Sequence, residues 1–179
     1  MPTRLSCLSH AAAFAALLPL VSACAPERDQ FPPACPRLAF VTPTADVAVF
    51  RPGSDEHDLT ALMLAGRMMS INGSCRQGKD KNTVEATLTV GAELTRGPAM
   101  RGNQALVPLY VAVTEGDHIL DKHIYNLSAT FPSNVDRIPL TTPEVFMVLP
   151  VTPAKSAAAY SILAGFQLSA DQFTASPAQ

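Results

Sequence analysis

The sequence predicts an all-β domain, folded as a two-sheet antiparallel sandwich of seven to eight strands. Three observations carry this expectation. Residues 83–95, TVEATLTVGAELT, alternate with period two: Val84, Ala86, Leu88, Val90, Ala92 and Leu94 fall on one face, Glu85, Thr87, Thr89, Gly91 and Glu93 on the other. That pattern suits a strand with one face in a core and one in water. No long segment shows the amphipathic period of a helix. Prolines (16) outnumber glycines (9) in a Val/Thr-rich chain, which favours extended segments joined by many short connections. With 179 residues, 47% apolar and only 16% charged, the chain suffices for one domain with a real core and is not compositionally disordered.

Residues 38–41 and 46–50 read as short strands split by Thr42-Pro43-Thr44. Proline removes a ladder donor, so this break suits an edge strand, and the kinked first strand is the candidate docking edge. Residues 59–71, LTALMLAGRMMSI, carry Leu, Ala and Met of good helix propensity. They are nevertheless expected as a strand. A Cys35–Cys75 bond would set the start of the first strand beside the end of this segment, as in an antiparallel pair. The polar stretch 77–81 is a turn into residues 83–95. Residues 105–114 place Val107, Leu109, Val111 and Val113 on one face. Glu115-Gly116-Asp117 then forms a hairpin turn, and residues 118–131 return with Tyr125, Leu127, Ala129 and Phe131 sharing a face. Residues 144–149 are a short apolar run consistent with a buried strand. Residues 160–168 put Tyr160, Ile162, Ala164, Phe166 and Leu168 on one side.

Ala158-Ala159-Tyr160-Ser161-Ile162 resembles the tyrosine corner of immunoglobulin-like domains. There a Tyr opens a late strand and its hydroxyl ties back to backbone upstream. A plain core tyrosine at a strand start is the other reading. Immunoglobulin-like is thus an expectation about architecture and carries no function.

The chain opens with a secretory signal over residues 1–23. Arg4 and the amine are a positive n-region, and AAAFAALLPLV is an apolar h-region too short to span a bilayer. Val21-Ser22-Ala23-Cys24 resembles the bacterial lipobox. The resemblance implies a diacylglycerol thioether on Cys24, cleavage before it, and acylation of the new amine. Several acyl chains hold a protein on a membrane stably. Ala25, rather than Asp, after the cysteine favours the outer membrane by resemblance to the sorting rule, with the domain on the periplasmic face. Ordinary cleavage, leaving a soluble periplasmic protein, is the alternative. Residues 24–34 read as a lipidated, Pro-rich tether, residues 35–169 as the sandwich domain, and residues 170–179 as a flexible tail.

Of four cysteines, Cys7 leaves with the signal and Cys24 is assigned to lipid. Cys35 and Cys75 remain, and in an oxidising compartment they read as a disulfide. Two free thiols or a metal pair are the alternatives, although no His or Cys completes a zinc set at ligand spacing. The stretch from residue 35 to about 170 also resembles a group of small alphaproteobacterial lipoproteins. The shared marks are Cys35-Pro36-Arg37, Gly73-Ser74-Cys75-Arg76, Arg96-Gly97-Pro98 and Gly165-Phe166-Gln167-Leu168. The resemblance implies the disulfide and a compact domain, and lends no activity.

Chemistry is sparse. No nucleophile elbow, phosphate loop or dinucleotide fingerprint is present, so no enzymatic activity and no cofactor are expected. A net charge of −2 without blocks of like charge argues against nucleic acid as a partner. The densest polar cluster, Asp55, Glu56, His57 and Asp58, could hold Ca²⁺ or Mn²⁺, but reads first as a solvated turn. Asp121 and His123 share a strand face and are half a metal site at best; an exposed ion pair is the simpler reading. Arg96 and Arg101 bracket Gly97-Pro98, a loop that could meet anions such as lipopolysaccharide phosphates or simply be solvated. The expected role is a structural or accessory interaction module of the cell envelope, with the membrane and an envelope protein as partners. A small-ligand or divalent-metal-binding lipoprotein is the alternative.

Overall fold

The computed structural model describes residues 33–54 and 58–175. Nine strands among these residues form two sheets around one apolar core. The first sheet runs in the order β1 (Arg37–Phe40), β9 (Tyr160–Phe166), β5 (Gln104–Glu115), β6 (His118–Thr130). The second runs β2 (Asp46–Phe50), β3 (Leu62–Gln77), β4 (Thr83–Arg96). On the far side of β4 lie both β7 (Arg137–Thr141), along Gly91–Thr95, and β8 (Val145–Pro150), along Thr83–Leu88. Every ladder is antiparallel except β1 with β9. The all-β sandwich is therefore the fold, and its two-sheet architecture is compatible with an immunoglobulin-like one.

The core follows the alternation of the sequence. Val84, Ala86, Leu88, Val90, Ala92 and Leu94 of β4 are all buried. They meet Val107, Leu109, Val111 and Val113 of β5, and Tyr160, Ile162, Ala164 and Phe166 of β9. The β5–β6 hairpin closes through Gly116 and Asp117, with Gly116 at φ 55°. A positive φ at the first loop residue matches the twist of the flanking strands, and glycine reaches it without strain.

Of the segment 59–71 expected as a strand, residues 62–71 are one, while its first three residues form a 3-10 turn (Leu59–Ala61). The strand continues through Cys75 to Gln77. A β-bulge at Met69 shifts its register on β4 between Met68 and Ser70. Before the bulge the buried or core-facing positions are Leu64, Gly66 and Met68; after it the core contacts pass to Ile71 and Cys75. One inserted residue flips the parity, and Met69 itself is left exposed.

The two short strands at the start do not share a sheet. The 3-10 turn Thr42–Thr44, with Pro43 inside it, carries the chain across. β1 pairs with β9 in the first sheet and β2 with β3 in the second, so each is an edge, as the proline suggested. The Cys35–Cys75 disulfide is present, with Cα atoms 5.8 Å apart. It does not staple an antiparallel pair, however. It links the lead-in to β1 with β3 of the opposite sheet, because the switch at Pro43 comes after Cys35.

Two elements correct the reading from sequence. β7 was not anticipated. It has five residues with Pro139 at its centre, which an edge position tolerates. Between β7 and β8, Thr142 keeps β4 satisfied: its N–H donates to the Val90 carbonyl (2.9 Å) and its hydroxyl accepts from the Val90 N–H (3.0 Å). Where the tail was expected, Ala170–Ala175 form a short helix, α1. Ser169 and Gln172 form a reciprocal capping box. The Gln172 N–H reaches Ser169 Oγ at 3.3 Å, and the Ser169 N–H reaches Gln172 Oε1 at 2.9 Å.

Tyr160 is fully buried, and its hydroxyl donates to the Pro150 carbonyl at 2.8 Å, ten positions upstream. Lys155 lies 4.5 Å from its ring centroid and also pairs with Glu115 at 2.7 Å. The ring and its tie-back thus join the end of β8 to the start of β9 and the end of β5. Tyr160→Phe keeps the ring and deletes the tie. It is expected to cost about 1 kcal/mol, read as a lower urea midpoint at unchanged slope.

Candidate functional site

Cys24 and the loop residues Asp55, Glu56 and His57 lie outside the described residues. Asp58 is committed locally. Its carboxylate accepts from the Thr60 hydroxyl at 2.6 Å and the Thr60 N–H at 2.9 Å, capping the 3-10 turn. The hydroxyl bond, then the backbone bond, and more weakly Arg51 hold its pKa below the usual carboxylate value. Among the described residues no group of three or more His, Cys, Asp or Glu is placed to hold a metal ion. Asp121 and His123 do meet, Oδ2 to Nε2 at 2.9 Å, as an exposed pair on β6.

That pair sits on the most open part of the sandwich. Among the described residues β6 bonds only to β5, and no other described strand pairs with its far side. The remaining edges are short or interrupted: β1 and β2 have four and five residues, β7 holds Pro139, and β8 ends at Pro150. β6 runs 13 residues without a proline. A bulge between its Ile119 and Asp121 is its one irregularity. From His118 to Ile124 it is exposed on both faces. Ile119, Leu120 and Ile124 on β6, and Phe146 and Val148 on β8, are each more than half exposed.

Between β6 and β8 the two sheets leave a groove of 520 Å³, lined by Leu120, Asp121, His123, Tyr125, Phe146 and Val148 among others. Burial, and secondarily Asp121, pushes the Tyr125 phenol above its ordinary pKa. A long apolar edge beside such a groove can accept an extended segment. The backbone ladder would supply affinity and the groove would take alternate side chains.

The Arg96–Arg101 loop resolves into two roles. Gly97 and Ala99 donate to the Met63 and Leu62 carbonyls, both at 2.9 Å, so the loop is pinned to the start of β3. A Cβ at Gly97 would run into the Leu62 carbonyl oxygen, which explains glycine there. The Arg96 backbone N–H donates to the Asp136 carbonyl at 2.7 Å. Arg101 instead lines a second groove, shared with Arg51. Nothing in the sequence coupled those two arginines, which line one groove only through tertiary structure.

No protein-family model, no curated protein and no solved structure matches this chain.

Proposed function

We propose that this chain is a membrane-anchored, periplasm-facing lipoprotein acting as a structural or accessory interaction module of the cell envelope, with β6 as its docking edge. The signal-like first 23 residues and the lipobox-like Val21-Ser22-Ala23-Cys24 support the anchor. The observation that carries the docking role is the 13-residue β6, open on one side and exposing Ile119, Leu120 and Ile124, beside the β6–β8 groove. Compared with β1 and β2, of four and five residues, β6 offers a 13-residue ladder with large apolar side chains exposed on it. Outer-membrane placement follows from Ala25 after the cysteine, by the sorting rule named above.

The test is capture from detergent-solubilised membranes at native expression, comparing the full chain with Ile124→Lys. Ile124→Lys replaces an exposed apolar side chain of this edge by a charge, unlike Lys122, whose ammonium lies over the Tyr110 ring, and it leaves the core untouched. A specific partner should be recovered with the parent chain and fall by about tenfold with the variant, equivalent to about 1.4 kcal/mol. Equal recovery with both, or recovery of the chain alone, sinks the docking role. Intact mass of the membrane-extracted protein tests the anchor separately: a diacylated and N-acylated Cys24 is expected, and Cys24→Ser should abolish it.

A further inference from the structure

We infer that the groove between the start of β3, the end of β2 and the β4–β5 loop binds an anionic phospholipid. Its phosphate would lie between Arg51 and Arg101, and an acyl chain would lie along the apolar floor. This site is separate from the β6 edge, and the inference stands or falls independently of the docking role.

The groove has a volume of 460 Å³, within the range of pockets that hold small organic ligands. Its floor belongs to the edge of the core: Leu64 is buried there, and Val49, Met100 and Ala105 pack partly against the core cluster. Met63 joins Met100 in the lining. Unbranched, polarisable thioethers adapt to irregular apolar ligands. Leu106, at the rim, is 65% exposed and has nothing over it.

The two guanidiniums sit on a common support. Arg51 donates its backbone N–H to the Ala61 carbonyl at 2.9 Å, while the loop carrying Arg101 is bonded to Leu62 and Met63, the next two residues. Both arginines are therefore referenced to one three-residue stretch. Among the described residues neither makes an ion pair. Arg51 and Asp58 attract each other through space without forming an ion pair, which leaves the guanidinium open to a further anion. Two exposed guanidiniums that line an apolar trough, neither in an ion pair among the described residues, complement a phosphate attached to a hydrocarbon chain. Arginine forks suit phosphate oxygens, and the trough rewards each buried methylene. A free anion would leave the trough empty, and a neutral lipid would leave both charges unanswered.

The test is calorimetric titration of the purified full chain with dihexanoyl-phosphatidylglycerol below its micelle concentration. Saturable binding is expected. Dihexanoyl-phosphatidylcholine and inorganic phosphate should each bind at least about tenfold more weakly. The double variant Arg51→Gln/Arg101→Gln should lose about tenfold or more, and Leu106→Gln severalfold. Both arginines and Leu106 are exposed, so the variants should melt with the parent. If the double variant does not, Arg101→Gln alone is the comparison. Absence of heat, equal binding of the choline lipid, phosphate alone binding as tightly, or arginine variants that bind unchanged would each overturn the assignment. Failure here leaves the β6 capture experiment untouched, and the reverse holds too.

Discussion

Reducing the Cys35–Cys75 bridge is expected to lower the free energy of unfolding by about 4 kcal/mol. The two cysteines are 40 positions apart, and in the chain-entropy model closing a loop of that length removes about this much freedom from the unfolded chain. For a domain of ordinary stability that is about a quarter to most of the total. The bridge has a second consequence in the folded state. It is the covalent link between the first sheet's leading edge and the second sheet, and the parallel β1–β9 ladder beside it is only four residues long. Reduced protein should therefore lose protection first at β1. Denaturant titration with and without reductant reads the first effect, and amide exchange at Leu38–Phe40 reads the second. A midpoint that does not move on reduction would remove the bridge from any account of stability.

Phe166→Ala should cost about 3–5 kcal/mol. The ring is fully buried at the end of β9 and packs directly beneath the backbone of Gly66 on β3, where a Cβ would come within 2.8 Å of its Cζ. Phe166 thus fills the space that a missing side chain leaves in the facing sheet. Truncating the ring opens a cavity that β3 cannot readily close, because β3 is held by a ladder on each side, to β2 through Gly66↔Val47 and to β4 through Gly66↔Leu94. The reciprocal change, Gly66→Ala, forces the ring aside and should also destabilise. The double variant Gly66→Ala/Phe166→Leu should be less damaged than the two single effects summed, since the new methyl partly refills the vacated volume. Simple additivity in a urea double-mutant cycle would refute this coupling.

How much of this was legible in the sequence depended on whether one strand's pattern was self-contained. β4, β5 and β9 alternate cleanly, and their inward faces were readable residue by residue. The second half of β6, Tyr125 through Phe131, was equally plain. β3 was not, because Met69 interrupts its parity and the run of Leu and Met mimics a helical composition. β7 hid behind Pro139, which is harmless only because no strand lies beyond it. The start of α1 carried a readable signal, the S-x-x-Q spacing of Ser169 and Gln172, which compositional polarity masked. The disulfide followed from counting cysteines, but its path between sheets did not, since nothing local shows that Pro43 moves the chain across. The candidate sites were least legible. Proline near the first strand pointed to that edge, whereas the exposure of β6 arises from how far the second sheet extends beneath it. Arg101 stood out in its loop, yet its companion Arg51 lies 50 positions earlier in the chain.

The placement of the disulfide also decides how tension would travel. A pull applied ahead of Cys35 passes through the sulfur–sulfur bond into Cys75, so the intervening chain, with β1, β2 and most of β3, hangs slack beside the load path. The weak four-residue ladder at the leading edge is thereby relieved of any shearing strain, and the first ladder to bear force is the long β3–β4 pairing near Gln77 and Val84.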